Sequence, residues 1–168
     1  MKIGVLSDTH DRREITQAAI RLLCGRGAEL ILHCGDIKSP ETVRLFTEVP
    51  THFVFGNWDK DRKGLLAAIA DVGGRWHEDF GWLALAGKSV AWVHGHVRGQ
   101  RRELEESGAF DYLFYGHSHA AETHRSGVTF VMNPGALFRA IPKTVGLVDL
   151  TTGQGELIEI EELKAASR

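Results

Sequence analysis

Ile3-Gly4-Val5-Leu6-Ser7-Asp8-Thr9-His10 is the stretch on which the reading of this chain turns. Its first four residues form a continuous apolar run closed by polar residues, the pattern of a buried strand. Asp8 and His10 stand where that strand ends. Two residues apart in extended chain, they project to one side, because side chains alternate with period two. A carboxylate and an imidazole leaving a strand end together can hold a divalent cation. The same residues can equally serve a capped turn into a helix. Recurrence of the arrangement further along decides between the two.

It does recur. Residues 14–26 place Ile15, Ala18, Ala19, Leu22 and Leu23 at helical spacing, with Gly25 and Gly27 closing the helix and Asp11 able to cap it. Residues 30–32 read as a second buried strand, ended by Gly35-Asp36. Ser39-Pro40-Glu41 opens a helix, with Ser39 as N-cap and Val43, Leu45 and Phe46 inward. Residues 52–55 form a third strand, ended by Gly56-Asn57, and residues 61–72 a third helix, closed by Gly73-Gly74. Alternating strand and helix implies a parallel sheet with right-handed crossovers. All strand C-termini of such a sheet lie on one edge, where ligands bind. Asp8, His10, Asp36 and Asn57 therefore converge by topology alone.

The second half changes rhythm. Residues 82–85 and 89–93 flank Ala86-Gly87-Lys88 as a hairpin, whose second strand runs into His94-Gly95-His96. Residues 101–107 read as a short charged helix stopped by Gly108, and residues 112–115 as a strand ending in Gly116-His117-Ser118-His119. Short strands follow at 122–125, 128–132, 146–150 and 157–160, and residues 161–168 form a polar, frayed tail. No linker divides the chain. The expectation is one domain over residues 1–168: a four-layer α/β/β/α sandwich, two packed mixed sheets with helices outside.

Composition narrows the class. With 168 residues, 43% apolar and 25% charged, the chain can bury a substantial core. A formal net charge of −2 gives no basic field, which argues against nucleic acid as a stable partner. Cys24 and Cys34 form no C-x-x-C pair, and are expected to be reduced, buried thiols of a cytoplasmic protein. The apolar run after Met1-Lys2 is too short for a signal segment, and none approaches the roughly 20 residues of a membrane span. Exposed strand edges leave a homodimer open.

The motifs together are Asp8-x-His10, Gly35-Asp36, Gly56-Asn57, His94-Gly95-His96 and Gly116-His117-x-His119. In this order and spacing the chain resembles the calcineurin-like metallophosphoesterase superfamily over essentially its whole length. Within it, the chain resembles the compact single-domain phosphodiesterases of bacteria and archaea. The resemblance implies a binuclear metal centre: one divalent ion on Asp8, His10, Asp36 and His119, the other on Asp36, Asn57, His94 and His117, with Asp36 bridging. It implies hydrolysis of a small phosphoester by a metal-bridging hydroxide. Such chemistry needs two ions about 3.5–4 Å apart, which acidify a shared water and clamp the phosphoryl oxygens. Two divalent cations against two carboxylates and a hydroxide leave one positive charge in excess, which attracts an anionic ester. Imidazole-rich ligation favours Mn²⁺, Fe²⁺, Co²⁺, Ni²⁺ or Zn²⁺ over Mg²⁺, with Mn²⁺ the leading expectation.

His96 faces the same pocket if the chain is extended. There it holds substrate phosphate, protonates a leaving group, or merely hydrogen-bonds in its turn. Arg12, Arg13 and Arg139 are lesser candidates for substrate contact, and Asn133-Pro134-Gly135-Ala136 resembles the family's closing turn, a buttress of the metal loops. His33, His52, His77 and His124 read as structural, Trp82 and Trp92 as core, and Cys34 as packing beside Asp36. The chain departs from the family where G-N-H-[DE] is usual: here it is Gly56-Asn57-Trp58-Asp59. Trp58 carries no titratable proton. Help then falls to His96 or Asp59, and Trp58 either covers the site or offers an aromatic face. Phosphodiesterase is the favoured activity; a phosphomonoesterase or nucleotide phosphatase, or a non-catalytic protein-binding scaffold, are the alternatives.

Overall fold

Strand and helix alternate through the first half of the computed structural model, which describes residues 1–160. The elements run β1 (Lys2–Leu6), α1 (Arg13–Gly25), β2 (Leu30–His33), α2 (Pro40–Val43), β3 (Thr51–Phe53), α3 (Arg62–Asp71) and β4 (Arg75–Trp76). They continue with β5 (Phe80–Leu85), β6 (Lys88–Val93), α4 (Gln100–Glu106), β7 (Tyr112–Phe114), β8 (Glu122–Ser126), β9 (Thr129–Asn133), β10 (Thr144–Asp149) and β11 (Gln154–Glu159). The frayed tail expected at 161–168 lies outside the described residues.

One sheet has the order β11-β10-β1-β2-β3-β4, with β1 to β4 parallel and β10 and β11 antiparallel beside them. The other has the order β5-β6-β7-β9-β8, with β6, β7 and β9 parallel between antiparallel edges. Period-two alternation sorts the strand residues into layers. Ile3, Val5, Leu30 and Leu32 of the first sheet pack between the sheets against Trp92, Phe114 and Met132 of the second. Leu6 and Ile31 face the other way, onto Ile20 and Leu23 of α1, Val43 of α2 and Leu65 of α3. On the outer face of the second sheet, Ala91, Val93, Leu113 and Val131 lie under Leu104 of α4 and Phe110. Burying a side chain such as Phe114 contributes about 1.5–3 kcal/mol. The result is the expected four-layer arrangement of two mixed sheets with helices outside.

Several local expectations fail for physical reasons. Trp82 is not core: it is 52% exposed. It sits opposite Ala91 on edge strand β5, on a face that the seven-residue α4 is too short to cover. Asp11 does not cap α1, whose start has no side-chain cap. Its carboxylate instead accepts the hydroxyls of Ser39 at 2.5 Å and Thr42 at 2.8 Å, tying the first loop to α2. Ser39 and Asp61 do cap α2 and α3. Strand β4, two residues long, is too short to leave a period in the sequence, and β3 stops at Phe53, before Val54-Phe55. Among the described residues no helix is long and apolar enough to cross a membrane.

His52 of β3 and His77, just after β4, stack and share one hydrogen bond, Nδ1 to Nε2 at 2.8 Å. Burial first, then the neighbouring charges of His77 and Arg75, pushes His52 down to about 4; burial and Arg75 push His77 down as well. In the unfolded chain both protonate near pH 6.5, as free histidine does at about that value. The folded state therefore binds fewer protons, and stability falls as pH drops through about 6.5 toward 4. Urea midpoints measured from about pH 7 to about pH 4.5 should fall less steeply for His52→Gln than for the parent. Equal slopes would remove this pair from the acid response.

Candidate metal centre

The parallel strands deliver the candidate ligands to one edge shared by both sheets. Asp8 and His10 follow β1, Asp36 follows β2, Asn57 follows β3, His94 and His96 follow β6, and His117 and His119 follow β7. Backbone bonds lace these loops together: Asp8 N–H donates to the Gly35 carbonyl, His10 N–H to that of Asp36, and Gly116 N–H to that of His94, each at 3.0 Å. The expectation that Asp8 and His10 continue an extended strand is not met. Both are left-handed, with φ of 53° and 41°, and so are Asp36, His117 and His119 at 59°, 68° and 58°. Residues held in that region cluster at functional sites. The side chains of Asp8 and His10 still converge, because the turn rather than the pleat aims them.

The convergence is tight. Asp36 Oδ2 stands 3.3 Å from His10 Nε2 and 3.3 Å from His94 Nε2. Asp8 Oδ1 stands 3.2 Å from His119 Nε2 and 3.8 Å from His10 Nε2. Donor atoms of Asp8, His10 and His119, and of Asp8, Asp36 and His94, make two overlapping groups, each within 4.8 Å. The His117 ring lies 5.1 Å from that of His94, and the His96 ring 5.3 Å from that of His94.

Each carboxylate is held by its other oxygen. Asp8 Oδ2 accepts the Ser7 hydroxyl at 2.5 Å and the His117 N–H at 3.0 Å, and Asp36 Oδ1 accepts the Trp58 N–H at 2.9 Å. Close approach is the reason for glycine here. A Cβ on Gly56 would stand 2.1 Å from Asp36 Oδ1, and one on Gly116 would stand 1.8 Å from Ser7 Oγ. His94 Nδ1 donates to the Cys34 carbonyl at 2.7 Å, which turns Nε2 inward toward Asp36 Oδ2.

These residues fit a cation. Asp8 Oδ1, His10 Nε2, Asn57 Oδ1, His94 Nε2 and His96 Nδ1 are buried and have no hydrogen-bond partner. Buried polar atoms are ordinarily satisfied, and three of these five residues, Asp8, His10 and His94, belong to the two donor groups just described. The electrostatics agree. Burial alone would raise both carboxyls, but the imidazoles packed against them, His10 first, hold Asp8 and Asp36 far below the ordinary range. Burial alone would lower the imidazoles, but Asp36 and Asp8 raise His10 to about 9 and raise His94 too. A pocket that draws protons onto imidazoles is a pocket of negative potential.

Several supporting residues carry no signal of their role in the sequence. Asp59, named above as possible help for a leaving group, is no free acid. It is buried, and its two oxygens accept the N–H groups of Asp36 at 2.9 Å, Gly56 at 2.7 Å and Lys38 at 2.7 Å. His33 is fully buried; it accepts the Gly35 N–H on Nδ1 and so donates from Nε2 to Thr9 Oγ1 at 3.2 Å, bracing the first two loops. Burial pushes it down to about 3 and keeps it neutral. Cys34 packs as expected, with its thiol pushed well up by burial, and its carbonyl does the orienting. Asn133 donates to the Gly116 carbonyl at 3.1 Å and to Ser118 Oγ at 2.9 Å, under the His117–His119 loop. Arg13 lies 3.9 Å from Asp11, and Arg139 stacks on Phe138.

Residues 1–153 match the calcineurin-like phosphoesterase superfamily domain. The chain belongs to that superfamily. It is a metal-dependent phosphoester hydrolase. The chain is 29% identical over 155 residues to a phosphodiesterase from Methanocaldococcus jannaschii, covering 89% of this chain and 93% of that one. It is 35% identical over 146 residues to a probable metallophosphoesterase from Methanothermobacter thermautotrophicus, covering 81% of this chain and 77% of that one. Its fold superposes on a solved archaeal phosphodiesterase with a TM-score of 0.89 at 26% identity, covering 95% of this chain and all of the other.

The role of Asp59 in this phosphoesterase is open to direct measurement. Asp59→Ala should lower divalent-metal affinity on the order of 10- to 100-fold, the usual effect of removing a group that orients ligands. Competition against a chelating dye reads this, and unchanged affinity would show that Asp36 holds its place unaided.

Proposed function

We propose that this phosphoesterase is a binuclear-metal phosphodiesterase acting on a small substrate. The observation that carries the reading is Asp36 Oδ2, equidistant at 3.3 Å from His10 Nε2 and His94 Nε2. One carboxylate oxygen between two imidazoles on two different sheets is the arrangement a bridging ligand needs. In this reading Asp8, His10, Asp36 and His119 hold one ion, and Asp36, Asn57, His94 and His117 hold the other. The imidazole content favours Mn²⁺, Fe²⁺, Co²⁺, Ni²⁺ or Zn²⁺ over Mg²⁺, and Mn²⁺ is the ion with which the reading is put to the test. Two such ions, when bound, would supply a nucleophile at neutral pH and offset charge on the phosphoryl oxygens.

The chain's own residues do the rest. Asp8 and Asp36 set the charge of the site, and the bonds from Ser7, His117 and Trp58 fix their free oxygens in place. Asn57 turns a neutral oxygen inward, which keeps the site's net charge positive toward an anionic ester. His96 lies beside His94 and His117, where its ring N–H can reach a phosphoryl or leaving-group oxygen.

Hydrolysis of bis-p-nitrophenyl phosphate and p-nitrophenyl phosphate, compared side by side on Mn²⁺-reloaded protein, tests this. Faster cleavage of the diester, abolished by His117→Ala, is expected; preference for the monoester would overturn the diesterase reading. A second variant probes the charge argument. Asn57→Asp adds one negative charge within the site and should raise KM by about tenfold or more while metal is retained. An unchanged KM would refute it.

A further inference from the structure

Trp58 is 54% exposed, although its backbone is held beside the candidate metal centre. Its N–H donates to Asp36 Oδ1 at 2.9 Å, so the position of the residue is fixed while its ring reaches solvent. That ring stands edge-on to His10, with centroids 6.2 Å apart and planes at 65°. A second ring approaches the same imidazole: Phe138 lies 4.6 Å from His10 and 6.3 Å from His119. The Arg139 guanidinium sits 5.0 Å from the centre of the Phe138 ring. Arg139 takes a left-handed φ of 50°, and among the described residues it pairs with no carboxylate. His10 is thus flanked by two aromatic rings, one of which carries a cation.

A structural cover does not need this. The tie to Asp36 is made by the Trp58 backbone, and a side chain more than half exposed buries little of what lies beneath. A large apolar ring left in water is informative when it adjoins a site. If a phosphoryl group occupies the centre, its ester substituent has to leave through the exposed side, and on the His10 flank that side is aromatic. Ring faces there stack on a planar group, and a guanidinium adds attraction to π-systems. A methyl or short alkyl substituent receives neither.

We propose that Trp58 and Phe138, with Arg139 backing Phe138, form a subsite for a planar aromatic substituent of the phosphoester, a nucleobase or an aryl ring. This rests on the phosphoesterase reading of the centre and assigns it a substrate class. Phosphonates test it, because they carry no ester bond and cannot be turned over. Calorimetry on the Zn²⁺-loaded full chain, with metal content measured alongside, would compare phenylphosphonate, methylphosphonate and the methylenephosphonate analogue of adenosine monophosphate. Trp fluorescence gives an independent readout. Phenylphosphonate should bind about tenfold more tightly than methylphosphonate, the scale of one stacking contact. That ratio should fall toward one in Trp58→Ala and in Phe138→Leu, and ligand quenching of fluorescence should disappear in Trp58→Phe.

An adenosine analogue tighter than phenylphosphonate supports a nucleobase occupant; the reverse supports an aryl one. A ratio near one in the parent, or a ratio unmoved by both variants, overturns the subsite while leaving the metal centre intact. Failure of every phosphonate to bind would overturn the phosphoester reading itself, and the subsite with it.

Discussion

Asp8 and Asp36 lie together at the shared edge of two sheets, with 0% and 2% of their side chains exposed. Taking an ionised carboxylate out of water costs several kcal/mol even after relaxation, and two adjacent ones repel as well. The surrounding structure answers that cost on two sides. Backbone N–H groups and a serine hydroxyl satisfy one oxygen of each. Imidazoles crowd the other oxygens, and cannot neutralise them without giving up the lone pairs that face the same point. Positive charge from outside the chain is the arrangement that satisfies both sets at once.

Much of the fold serves that demand. Candidate ligands drawn from five different strand ends can meet only if the loops after those strands turn sharply and together. Left-handed backbone at five of the candidate ligand positions, and glycines where a methyl group would strike Asp36 or Ser7, are how they do so. Asp59, His33 and Asn133 then hold each turn to its neighbour by hydrogen bonds rather than by packing.

The sequence made the strand ends visible because buried strands and the glycine-bearing turns after them have strong, short-range patterns. Asp8, His10, Asp36 and Asn57 could be placed on one edge from topology, without any distances, and His94, His117 and His119 joined them through the order and spacing of the motifs that resemble the family. The supporting residues could not. Asp59 looks like any acidic residue in a turn, and its partners are backbone groups 3, 21 and 23 residues away. His33 reads as one more apolar-strand position. Trp82 and Trp92 are equivalent by pattern, and only the register of β5 against β6 and the shortness of α4 send one outward. Left-handed conformation at Asp8 and His10 was equally hidden, since neither residue type demands it.

The hydrogen bonds that orient the ligands also cross from one sheet to the other. His94 reaches the Cys34 carbonyl, Asp8 takes the His117 N–H, and Thr144 reaches the Pro134 carbonyl at 2.7 Å. The inner faces otherwise meet through side chains such as Ile3, Leu32, Trp92 and Phe114, whose contacts have no direction and allow sliding. The sandwich is therefore stitched along one margin, like pages at a spine. The bonds that set the distances between the candidate ligands thus lie at the margin, away from the side chains that fill the inter-sheet layer.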